Sequence, residues 1–251
     1  MRQLLAASLA ALATLWAVGG AALEAPPLPP PGLEGAPAPP PASAEELRRP
    51  KVKALALERI SGDRYRLGDI EISKGGRSLS FPAQVNMNRG LLEYLLVRIG
   101  GKTHESLLRT SVEPYHLQFA CLLLGLEPTE RPLERQGDPA TPRGTPVEIS
   151  ISFTGAGGRQ ASLPADRWVA IGTAEKREPA GKIDWVFTGS AVVNGRFLAQ
   201  SEGSIVATYH DPVAMIDNAS RGGESDKVWF VREGAVPAPG TPVTVTIKKI
   251  Q

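Results

Sequence analysis

The sequence predicts an α+β domain, mainly antiparallel β, a barrel or sandwich with one buried central helix. Three observations lead there. Short apolar runs separated by Gly, Pro, Asn and Asp clusters recur from Ala54 to Ile250, which is the pattern of an antiparallel sheet. The run Tyr115 to Leu124 is apolar apart from His116 and Gln118, and a helix apolar nearly all round is ordinarily buried. Finally, Gly100-Gly101 and Asn194-Gly195 sit between apolar runs, where two-residue hairpin turns need positive φ.

The amino end has a separate character. Met1-Arg2, an uncharged apolar run from Leu4 to about Val18, and Gly19-Gly20-Ala21-Ala22 form the three parts of a secretory signal, with cleavage after Ala22. The competing reading is an uncleaved anchor, because the uncharged run reaches Leu23 and approaches the ~20 residues of a spanning helix. Both readings export the rest of the chain. Leu23 to Ala44 holds nine of the 23 prolines, so residues 23–50 read as a disordered, Pro-rich linker. Residues 51–251 then form the domain.

Within it, Ala54 to Glu58 and Tyr65 to Ile72 read as strands, the second broken by a turn or bulge at Gly68-Asp69. Ser78 to Met87 alternates imperfectly. Leu91 to Ile99 and Lys102 to Leu108 flank Gly100-Gly101, which predicts a hairpin that turns His104 and Glu105 to opposite faces and sets Glu105 diagonal to Arg98. Pro114 suits a first helical position, and Gly125 and Pro128 end the helix. Glu127 to Gly144 is polar, holds four prolines and reads as a loop. Val147, Ile149, Ile151 and Phe153 alternate strictly with Glu148, Ser150 and Ser152, a half-buried strand, and Gln160 to Leu163 is its hairpin partner. Asp184 to Val193, Arg196 to Gln200 and Ser204 to His210 predict a three-strand meander. Val213 to Asp217 reads as one helical turn, while Val228 to Arg232 and Val243 to Ile250 read as closing strands.

Composition narrows the function classes. Lys+Arg 28 against Asp+Glu 26 leaves a net charge of +2, and no dense basic run appears, which disfavours nucleic acid as a partner. The single cysteine, Cys121, cannot close an intramolecular disulfide or ligate an iron–sulfur cluster. Within an apolar helix it reads as a small buried hydrophobe.

The segments GLLEYLLVRIGGKTHESLL, PYHLQFACLLLGLEP, WVFTGSAVVNGRFLAQSEGSIVATYHDPVAMIDN and GTPVTVTI occur in an order that resembles the YdjY domain family of bacterial exported proteins. The resemblance covers most of Val52 to Ile250. It implies little about activity, since the family consists chiefly of proteins of unassigned function. Some members carry a ferredoxin-like label, but this chain lacks the thiolates that such a cluster needs.

The side chains that could carry chemistry are His104, His116 and His210, with Glu105, Asp211 and Asp217. Three converging imidazoles would suit a divalent metal and leave a position open for water or substrate. The ordinary readings are a cross-strand hydrogen bond for His104, a first-turn helix residue for His116, and turn chemistry for His210-Asp211-Pro212. No Gly-x-Ser-x-Gly elbow and no phosphate-binding glycine loop is present. Trp168, Trp185 and Trp229 read as core aromatics. The expectation is an exported, periplasmic or cell-surface, non-catalytic binding or scaffold domain with no predicted cofactor. Its partner would be an extracytoplasmic protein or a small ligand, and it would meet the membrane only through an uncleaved signal segment. The alternative is a histidine-based metal protein with hydrolytic or redox activity.

Overall fold

The computed structural model describes residues 54–250; the expected signal peptide (1–22) and linker (23–50) lie outside the described residues. The first four strands are β1 (Leu57–Ser61), β2 (Arg64–Leu67), β3 (Ile70–Ser73) and β4 (Ser78–Val85). The break at Gly68-Asp69 is a turn between β2 and β3, with Leu67 opposite Ile70 and Gly68 at φ +58°. β4 buries every second residue, Leu79, Phe81, Ala83 and Val85, so its alternation is stricter than the sequence suggested.

β5 (Tyr94–Arg98) and β6 (Ser106–Thr110) pair in parallel, with Tyr94 opposite Ser106 and Leu96 opposite Leu108. The hairpin expected at Gly100-Gly101 is therefore corrected. The chain instead returns through a 3-10 turn at Thr103–Glu105, pinned by Asn86 Nδ2 donating to the Thr103 and Ser106 carbonyls at 2.5 and 2.7 Å. Closure explains the outcome: β6 runs antiparallel to the end of β4, Gln84 opposite Arg109, which an antiparallel β5–β6 hairpin would reverse.

Next comes α1 (Pro114–Leu123), entered from an extended Glu113 with Pro at its start. Its end is a Schellman motif: Gly125 N–H donates to the Leu122 carbonyl (2.9 Å), Leu126 N–H to that of Cys121 (3.1 Å), and Gly125 has φ +73°. The helix joins the core through Leu117, Ala120 and Cys121, while Tyr115, Phe119 and Leu122 stay exposed. The expectation of burial all round thus holds for one face only.

β7 (Thr145–Thr154) and β8 (Gln160–Pro164) form the expected hairpin. β9 (Val169–Gly172) and β10 (Arg177–Pro179) start a small second sheet. β11 (Trp185–Phe187) stops after three residues because Gly189 and Ser190 turn the chain with φ of +82° and +61°. β12 (Val192–Val193) and β13 (Arg196–Phe197) flank the Asn194-Gly195 turn as expected. The meander ends there: α2 (Leu198–Glu202) takes over the second stretch after Phe197, and the third, β14 (Ser204–Ala207), pairs with β5 and with β15 (Ile216–Asn218) instead. The helical turn expected at Val213 to Asp217 is also corrected, since Asp217 lies within β15. β16 (Trp229–Val231) completes the small sheet, and β17 (Pro242–Lys249) joins β4 to β7.

The main sheet closes as an eight-strand mixed barrel in the order β4-β17-β7-β11-β15-β14-β5-β6 and back to β4. Only β5–β6 and β14–β15 are parallel pairs in it. Its interior is filled by inward-facing Leu79, Phe81, Ile149, Ile151, Val206 and Val245 among others, and full closure leaves these strands without a free edge. Trp168, Trp185 and Trp229 are all core residues.

Candidate functional site

Two regions hold polar groups in defined geometry. The first is a buried polar knot around the β14–β15 connection. A parallel pair needs a crossover, and here residues 208–215 make it inside the protein, so its polar groups must find partners there. Asp211, 2% exposed, accepts from Val213 N–H through Oδ1 (2.9 Å) and from the Tyr94 hydroxyl through Oδ2 (2.5 Å). Lys102 Nζ donates to the Tyr94 oxygen at 2.6 Å and stands 3.6 Å from both Asp211 and Glu202. Burial, reinforced by the Asp211 charge, raises the Tyr94 phenol far above its usual value, so the hydroxyl stays a donor.

Asp217, fully buried, accepts the Asp211 N–H (3.0 Å) and the Asn218 N–H (2.7 Å). Burial holds its carboxyl well above the ordinary carboxylate range, against those two bonds and with the Asp211 charge adding to the effect. His210 places Nδ1 2.7 Å from the Asp138 carbonyl oxygen and Nε2 2.9 Å from that of Asn218. Asn218 in turn donates to the Thr208 carbonyl. The His210 imidazole, the Asp211 and Asp217 carboxyls and the Tyr94 hydroxyl thus all bond to the protein itself.

The six residues singled out from sequence separate accordingly. His210, Asp211 and Asp217 come together in the knot. His104 is exposed on the 3-10 turn with Nε2 3.3 Å from Glu105 Oε2, so the two residues meet instead of facing apart, and Arg98 pairs with Glu113 at 2.8 Å in place of Glu105. His116 sits in the first turn of α1 beside Glu113. The three imidazoles therefore do not converge, and among the described residues no three His, Cys, Asp or Glu side chains stand together to hold a metal ion. Tyr94 and Lys102 were missed because one lies in an apolar run and the other follows a turn signal. Nothing local marks either as a partner of Asp211.

The second region is an open cleft of about 820 Å³ on the outer face of β7 and β17. It exists because β7 changes neighbours: β11 pairs Thr145 to Val147 and β8 pairs Ser150 to Thr154, so the two flanks splay apart between them. Ser78, Thr246 and Ser150 give its floor hydroxyl groups. Lys248, opposite Glu148 across the β17–β7 ladder, adds both signs of charge. The wall carries Asp166, Arg167, Lys182 and Asp184 above the apolar Ile183 and Trp185. Lys182 and Asp184 pair at 3.3 Å. Burial raises the Asp166 carboxyl above its usual value, opposed by the Ile183 N–H that it accepts at 3.4 Å. No sequence signal pointed here, since the cleft arises from strands distant in sequence and its polar side chains read individually as a solvated face.

The family model of the YdjY domain matches residues 70–248. No curated protein and no solved structure matches the chain.

Proposed function

The chain belongs to the YdjY domain family, and on that premise we propose that it is an exported, non-catalytic binding domain whose ligand lies in the β7–β17 cleft. The single observation that carries the reading is the contrast between the two polar regions. In the knot the acids, the imidazole and the phenol are buried and bonded to the protein, whereas the cleft presents hydroxyls and charges of both signs to the outside. A concave site with an apolar strip and a few convergent polar groups is the usual form of a small-ligand site. Its chemistry suits a compact polar ligand that carries hydroxyls or both signs of charge, such as an amino acid, a short peptide or a sugar. Export is supported by the signal-like residues 1–22 and the Pro-rich stretch after them.

Ser150→Trp, at an outward position on the cleft floor, fills the site without touching the barrel interior. Thermal unfolding of the protein and this variant against a panel of amino acids, dipeptides and sugars tests the reading. A true ligand at 100 times its Kd stabilises by about 2.7 kcal/mol, and the gain should vanish in the variant. A panel that shifts neither protein, or both equally, removes the cleft as a binding site.

A further inference from the structure

The outer face of α1 is unexplained by any of this. Tyr115, Phe119 and Leu122 are 56%, 45% and 46% exposed. Their i, i+4, i+7 spacing places them in one stripe along the helix. The stripe continues onto the β12–β13 hairpin: Phe197 meets Tyr115 edge-on at 5.8 Å, and Val192, opposite Phe197, is 67% exposed. Contiguous apolar surface of this kind marks a contact face rather than a scatter of single exposed residues.

What it contacts is indicated by the charges at its end. Directly after Leu122, the chain at Leu123, Leu124 and Gly125 borders a shallow hollow whose other lining residues are Lys74, Arg77 and Lys249, with no Asp or Glu among the described residues that line it. Lys249 is fixed there by donating to the Gly125 carbonyl at 2.6 Å. Lys74 and Arg77 are exposed on the β3–β4 turn. An aromatic and aliphatic stripe that ends in a cluster of cations is the amphipathic pattern that suits the interface of an anionic bilayer, where Tyr, Phe and Leu enter the headgroup boundary and Lys and Arg meet lipid phosphates.

We propose that the outer face of α1, with the Lys74–Arg77–Lys249 cluster, is a docking surface for an anionic phospholipid bilayer. This surface is separate from the cleft and stands whether or not the cleft binds a ligand. It gives the domain its own membrane contact, in addition to any through the amino-terminal apolar run.

The test uses the full chain with Phe119→Cys carrying an environment-sensitive fluorophore. Cys121 is fully buried and takes no label, so the probe reports the stripe alone, whatever the amino-terminal run does. On phosphatidylglycerol vesicles the probe should shift to the blue and lose accessibility to an aqueous quencher several-fold; on phosphatidylcholine vesicles it should do neither. High salt should reverse the protection, and Lys74→Glu with Arg77→Glu should abolish it while leaving the unfolding transition in place. A probe that stays equally quenchable on both vesicle types overturns the proposal. So does protection that survives the charge reversals, or that arises without vesicles by association of two copies.

Discussion

The Tyr94 hydroxyl and the Asp211 carboxylate, 117 residues apart in the chain, share a buried hydrogen bond of 2.5 Å. Tyr94 opens β5 and Asp211 stands in the β14–β15 crossover, so this contact ties the two parallel pairs of the barrel to each other. Lys102, on the β5–β6 connection, completes it by donating to the same phenol oxygen. Its ammonium lies 5.0 Å from the ring centroid, but at the hydroxyl end, so the hydrogen bond and not the ring face accounts for its position.

Tyr94→Phe removes the hydroxyl and leaves Asp211 Oδ2 with only the 3.6 Å approach of Lys102. Stranding a buried partner of this kind costs about 1–3 kcal/mol. Urea unfolding at constant m-value should show that loss. A change under about 0.5 kcal/mol, the range of an ordinary surface substitution, would mean that the contact contributes nothing to the barrel.

Asp217 should give stability an unusual pH dependence. Its folded carboxyl titrates well above the unfolded one, so the folded state holds a proton after the unfolded chain has released it. Stability is therefore greatest below the unfolded value and falls as pH rises toward the folded one, by up to about 1.4 kcal/mol per pH unit. Asp138, whose carboxyl is lowered by the Ala140 and Glu134 N–H bonds, and Glu113, where the bonds from Arg98 and Gln200 outweigh the effect of burial, have the opposite slope at lower pH. Asp217→Asn isolates the group: the stability difference between the protein and this variant should decline from pH 4 to pH 7. A difference constant across that range refutes the assignment.

Local patterns were legible in the sequence where the physics is local. The alternation of Val147 to Phe153 reports β7 because side chains on a strand have a period of two. Pro114 and Gly125 bound α1 because the missing N–H and the left-handed cap are properties of single residues. Gly100-Gly101 misled for the converse reason. A two-residue turn is locally favourable, but a Cβ on Gly101 would come within 2.9 Å of the Glu202 carbonyl oxygen, so this glycine serves a close approach of α2 while the chain returns in parallel. The family resemblance was legible in the order of its segments, whereas Tyr94 looked like any other core residue of its run. Of the knot, the pattern of His210-Asp211-Pro212 and Asp217 could be seen, but not the partners that make it a knot.

The Cys121 thiol, pushed up to about 12 by burial, should be inert in the native protein. Against an ordinary exposed thiol of pKa 9.0, its thiolate fraction at pH 8 is lower by roughly 10³-fold. Alkylation by iodoacetamide should therefore proceed only through unfolding, with a rate that rises along the urea transition. Native alkylation as fast as that of a free thiol would place Cys121 on the surface and upset the orientation of α1.

The two faces of α1 provide the last discriminating experiment, because the helix is equally apolar on both. Leu117 is fully buried on the inner face and Phe119 is 45% exposed two residues later. Truncating a buried Leu to Ala loses its transfer free energy and leaves a cavity, about 2–5 kcal/mol. Phe119→Ala removes a side chain that already meets water, so its cost should stay near 0.5 kcal/mol despite the larger volume deleted. Size alone predicts the reverse order. Chemical denaturation of Leu117→Ala and Phe119→Ala therefore separates a helix buried all round, for which both are severe, from one that keeps an aromatic stripe free for a partner. Equal and large losses would return α1 to the barrel interior and leave the membrane-docking face without its helix.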